Sequence, residues 1–84
     1  MTNLLQRFED FRKDTSKCSL ADLACHLGVT IPEVLVICRR KDDVGNECRK
    51  VIAWIEAQYT KPGMVQKNLE YVNWLRKQIG VSLL

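Results

Sequence analysis

An all-α fold of five helices is what this sequence predicts, on three observations. Apolar residues recur three and four apart along most of the 84 residues. Helix caps and breakers fall between those runs, at Ser19, Gly28, Thr30, Thr60-Lys61-Pro62-Gly63 and Gly80. Finally, the one stretch that offers hairpin chemistry, Asp43-Val44-Gly45-Asn46, lacks period-two alternation on its flanks. At this length the chain is read as one domain, residues 1–84, with room for one small core. Apolar residues make up 46%, so a packed core is expected rather than disorder.

The elements follow in chain order. Thr2 is expected to cap a first helix that runs to about Lys13, with Leu4, Leu5, Phe8 and Phe11 on one side. Asp14-Thr15-Ser16-Lys17 is a polar link. Ser19 then caps a second helix, with Asp22 in capping-box position and Leu20, Leu23, Ala24 and Leu27 as its inner face. Gly28 supplies the positive φ that ends it. Thr30 caps a third helix with Pro32 in its first turn, Glu33 completing a second capping box, and Val34, Ile37 and Cys38 facing inward. Lys41 to Asn46 reads as a loop from its charge and turn residues. A fourth helix is expected from about Glu47 to Tyr59, burying Val51, Ile52 and Ile55. Val51 to Ile55 also reads as a buried strand of a winged domain, but positions 48, 51, 52, 55 and 59 suit a helix better. A fifth helix from Met64 to about Ile79 carries Val65, Leu69, Val72, Leu75 and Ile79 on one stripe.

The segment LADLACHLGVTIPEVLVICRR, residues 20–40, resembles the helix-turn-helix of phage repressor and Cro proteins. Ala24, Gly28, Val34 and Ile37 stand where that family keeps small, turning and apolar residues, and Leu23, Leu27 and Val29 fit its core positions. The motif, at about 19–40, covers roughly a quarter of the chain. The helices around it look like the five-helix arrangement of lambda-repressor-like domains. The resemblance implies a small transcriptional regulator that binds double-stranded DNA, of the size of phage or mobile-element regulators, with no cofactor. In the family's register the groove-facing positions are Thr30, Ile31, Pro32, Leu35, Val36 and Arg39. On that reading Ser19 and Thr30 orient helix ends at phosphates. Ile31, Leu35 and Val36 read thymine methyls and shape, since they offer no hydrogen bonds. Arg39, Arg40, Lys41, Arg49 and Lys50 neutralise the backbone.

The charge pattern admits a rival. The net charge is only +3, and residues 30–50 hold five cations against four acids, with Asp42 and Asp43 beside the basic run. An exposed Ile31-Leu35-Val36 surface also suits docking on a larger protein. An adaptor or inhibitor that has lost DNA binding is therefore the alternative. Tyr71 and Trp74 lie off the main stripe of the last helix, and Val81, Leu83 and Leu84 follow as an apolar tail. In lambda-repressor-like domains the last helix often makes the dimer contact, so a homodimer or partner interface is expected at Tyr71 and Trp74. The competing reading has both simply covering the edge of the core.

Other chemistry finds little footing. Cys18, Cys25, Cys38 and Cys48 are 7, 13 and 10 apart, with no CxxC pair and one histidine, which disfavours a zinc site. Cys25 and Cys38 are expected on apolar faces as small reduced hydrophobes, and His26 on the surface. Cys25 and His26 are adjacent on one helix, about 100° apart, and cannot share a catalytic hydrogen bond. No phosphate-binding glycine loop, nucleophile elbow or HExxH occurs, so no enzymatic activity is expected. MTNLLQRFED lacks the basic start and apolar stretch of a signal peptide, and a cytoplasmic chain is expected.

Overall fold

The computed structural model describes residues 4–14 and 16–80, and shows five helices with no strand among them. They are α1 (Leu4–Lys13), α2 (Leu20–Leu27), α3 (Ile31–Cys38), α4 (Asp43–Tyr59) and α5 (Val65–Ile79). The expected Thr2 cap and the apolar tail at Val81, Leu83 and Leu84 lie outside the described residues.

Helix α4 is the centre of the core. Cys48, Val51, Ile52 and Ile55 are fully buried along it, and it packs against α1, α3 and α5. Phe8 and Phe11 seal the core from α1. Leu5, expected on the same side, is instead exposed, because it sits about 60° around the helix from Phe8 at the edge of the apolar arc.

Both short helices are closed by the predicted caps. The Ser19 hydroxyl accepts from the Asp22 amide at 3.1 Å and donates to the Asp22 carboxylate at 2.8 Å. At the other end Gly28 adopts φ 72°, its N–H donates to the Cys25 carbonyl, and the Val29 N–H donates to the Ala24 carbonyl. This pair of bonds satisfies two carbonyls that the end of α2 leaves open. A Cβ at Gly28 would meet nothing within 4 Å, so the backbone angle rather than space favours glycine there. Thr30 repeats the Ser19 arrangement with Glu33, at 3.3 Å from its amide and 3.0 Å to its carboxylate. The axes of α2 and α3 meet at 90° across this short turn.

Two boundaries differ from expectation. The segment read as a loop before Glu47 is already helical from Asp43, because the Asp42 carboxylate caps α4 by accepting from the Gly45 amide at 3.0 Å. Gly45 is a point of close approach rather than a turn, since a Cβ there would lie 2.1 Å from the Arg40 carbonyl oxygen. The apolar stripe of α5 is buried only in its second half. Val72 and Leu75 are fully buried and Ile79 packs against the core, whereas Val65 and Leu69 are exposed. Helix α4 is the main neighbour of α5, and helical spacing buries a stripe only where a neighbour lies beneath it.

An ion pair and a backbone contact are among the polar links that tie α5 in place. Arg76 Nη2 lies 2.7 Å from Glu56 Oε1, an ion pair from α5 to a carboxylate on α4 that is only 8% exposed. The Leu20 amide donates to the Tyr71 hydroxyl at 3.3 Å, which satisfies an open N–H at the start of α2.

Candidate nucleic-acid interface

The outward side of α3 is the natural place to look, because two capped helices at 90° leave one face of the second helix free. Ile31, Pro32, Glu33 and Val36 are exposed there, and Val36 is the most exposed large apolar side chain described, at 62%. Val34 and Cys38 turn inward and are fully buried, with Ile37 half-buried beside them. Leu35, expected on the outer face, is half-buried and packs against the core. The outer surface therefore narrows to Ile31, Pro32 and Val36, flanked by Thr30 and Glu33.

Thr30 and Ser19 use their hydroxyls on their own caps. Both donate to the acidic residue three positions on, so each cap carries a carboxylate at its helix N-terminus. Ser19 is also half-buried close to Tyr71, whereas Thr30 is exposed.

The five predicted cations separate into two groups. Arg49 is a structural clamp: its Nη1 donates to the Cys38 carbonyl at 2.7 Å and to the Arg40 carbonyl at 2.8 Å, closing the C-terminal end of α3. Lys50 pairs with Glu47 at 3.2 Å on the surface of α4. Arg39, Arg40 and Lys41 are exposed and consecutive, just past the end of α3. Arg39 donates to the neutral Gln78 side chain at 3.1 Å. Arg40 pairs with Asp42 in an exposed ion pair, a class of contact worth about 0–1 kcal/mol and easily exchanged for a phosphate. The Gly45 N–H holds the Asp42 carboxyl below its ordinary pKa of 3.8, with the Arg40 guanidinium adding to the effect.

Tyr71 and Trp74 come together with Tyr59 and Ile31 rather than standing apart. Tyr59 and Tyr71 meet edge to face at 4.9 Å, and Tyr71 stacks on Trp74 at 6.3 Å. With Ser19, Leu20, Ala21 and Asn68 they line an open groove of about 460 Å³ that reaches the start of α3. Burial pushes the Tyr59 hydroxyl pKa up, with Tyr71 adding to it. Trp74 remains 39% exposed on this rim. Tyr59, Asn68 and Gln78 were outside the predicted site. Their roles depend on contacts between distant helices, and only the aromatic character of Tyr59 marks it in the sequence.

Other groups fall as follows. Cys25 is exposed rather than on an apolar face, and Cys38 and Cys48 are buried. His26 is half-buried, with Nε2 3.0 Å from the Arg7 carbonyl and its ring against Phe11. That contact explains its departure from the expected surface position. No group of three or more His, Cys, Asp or Glu among the described residues is arranged to hold a metal ion. Searches with this chain find no matching family model, no matching curated protein and no matching solved structure.

Proposed function

We propose that α2 and α3 act as a helix-turn-helix that binds duplex DNA, making the chain a small transcriptional regulator. The observation that carries this reading is the 90° crossing of two capped eight-residue helices over a glycine turn, followed directly by exposed Arg39, Arg40 and Lys41. In this reading α3 lies against the major groove and the three cations hold phosphates at its C-terminal end. Pro32 and Val36 touch groove walls and thymine methyls, with Ile31 at the edge. The lack of side-chain donors between Ile31 and Cys38 makes sequence discrimination modest and shape-based. Arg49 supports the site by fixing the carbonyls of Cys38 and Arg40, so it positions the phosphate-binding segment without touching DNA.

A second reading has its own support. Ile31 belongs to both the exposed face of α3 and the Tyr59-Tyr71-Trp74 groove, giving a continuous apolar surface of the kind used to dock on another protein. Fluorescence anisotropy with duplex DNA across a salt series separates the two. The DNA reading expects binding that weakens steeply as salt rises, and a lower salt slope in Arg39→Ala and Arg40→Ala. No binding at low salt removes it and leaves protein docking.

A further inference from the structure

Cys38 is the last residue of α3, and Cys48 lies in the second turn of α4. Both side chains are fully buried, and both thiols are free. The Cys48 sulfur lies 3.6 Å from the Val34 carbonyl, one turn before Cys38 on α3, and the next residue, Arg49, donates to the Cys38 carbonyl at 2.7 Å, so this turn of α4 is seated on the turn of α3 that ends at Cys38. Two thiols from different helices thus sit in one packed cluster of the core. The Arg49 guanidinium lies beside the pair.

We propose that Cys38 and Cys48 form a redox-sensitive dithiol, which a peroxide converts to an intrachain disulfide that fastens the end of α3 to α4. The sulfurs close to a covalent length of about 2 Å. Cys38 attacks, because it is the last residue of α3 where the helix opens most easily, and Cys48, held inside α4, resolves. The neighbouring Cys48 thiol, aided by Arg49 and Arg39, lowers the Cys38 pKa, while the Cys38 thiol and burial raise that of Cys48. The Cys38 thiolate displaces hydroxide from hydrogen peroxide and becomes a sulfenic acid. The Cys48 thiol then attacks that sulfur and releases water, so two thiols and one peroxide give one disulfide and two waters. Access comes through local opening at the end of α3, a helix of only eight residues that ends at two exposed arginines. The closed loop contains only the connector and the first turn of α4, so the bond restrains the segment that holds Arg39, Arg40 and Lys41.

The test uses the full chain with Cys18→Ser and Cys25→Ser, which removes the two cysteines outside the buried pair. It is treated with graded hydrogen peroxide and followed by intact mass, thiol titration and peptide mapping. The expected result is loss of about 2 Da with both thiols consumed, a peptide cross-link between positions 38 and 48, and reversal by a phosphine reductant. The thermal midpoint should rise by several degrees on oxidation and return on reduction. Adding Cys48→Ser should leave a sulfenic acid at Cys38 that a dimedone probe traps. Thiols that stay titratable at peroxide levels that oxidise a free cysteine peptide would overturn the proposal. So would oxidation that only adds oxygen or links separate chains. None of these readouts depends on DNA binding.

Discussion

Helices α2 and α3 have the same length and the same style of cap, yet they spend their apolar residues differently. Helix α2 buries Leu20, Leu23, Ala24 and Leu27. Helix α3 is the more apolar of the two, with Glu33 its one charged residue, yet it fully buries only Val34 and Cys38. Ile31 and Val36 face outward instead, with Pro32 between them in the chain. A helix that kept its apolar residues for stability would turn them inward, as α2 does. The surplus on α3 therefore calls for something other than the core of this chain, and the contrast can be tested one residue at a time.

The largest effect should come from α2. Leu23→Ala removes a fully buried side chain at the point where α2 meets the core, and should cost about 2–4 kcal/mol in chemical denaturation. The same truncation on the outer face of α3, Val36→Ala, should change stability by less than about 0.5 kcal/mol. A cost at Val36 approaching that at Leu23 would break the comparison.

Next is the support behind α3. Arg49→Ala strips charged donors from two carbonyls and should cost about 2 kcal/mol. Hydrogen exchange should quicken at residues 36–42 before it quickens in α2. Arg49→Lys should restore part of the loss, because both bonds leave one nitrogen, Nη1, and a lysine ammonium also carries several donors on one nitrogen. Uniform loss of protection across the chain would show that Arg49 holds the whole fold rather than the end of α3.

Smaller effects should come from the caps. Ser19→Ala and Thr30→Ala should each lower stability by about 1 kcal/mol in urea. Ser19→Ala should cost more, since Ser19 is half-buried beside Tyr71 and Thr30 is exposed. The reverse order would mean that α3, not α2, limits the stability of the pair.

The smallest effect is a pH dependence at the cap of α4. Asp42 has its pKa lowered in the folded state, first by the Gly45 N–H and then by Arg40. Its contribution is therefore full above the unfolded value near 3.8 and is lost as pH falls through the lower folded value. Thermal midpoints between pH 2 and about 6 should fall less steeply for Asp42→Asn than for the natural chain. Parallel curves would remove the cap from the acid response.

The legible parts of the sequence were those governed by local rules. Ser19, Thr30 and Gly28 announce helix ends through short-range hydrogen bonds and a backbone angle, and each occupies its predicted place. The start of α4 reads as a loop because Asp-Val-Gly-Asn carries turn residues. Asp42 is an equally good helix cap, and Gly45 is required by the Arg40 carbonyl, a contact that spacing does not reveal. The exposure of Val65 and Leu69, the inward lean of Leu35 and the use of Arg49 as a clamp all depend on where another helix lies. The Glu56–Arg76 ion pair was also invisible, since partners twenty residues apart on two helices leave no pattern in the chain. For the candidate site, the sequence marked the outer face of α3 and the basic run after it. It did not show which of the cations are already engaged.

The central claim, that the outer face of α3 serves a partner and not the core, is tested most directly by Val36→Asp. Unfolding midpoint and duplex-DNA affinity would be measured on the same preparations. The account predicts a midpoint within a degree or two of the natural chain, together with loss of duplex binding. A collapsed midpoint would contradict it by showing that Val36 belongs to the core, and unchanged duplex binding would contradict it by taking α3 out of the interface.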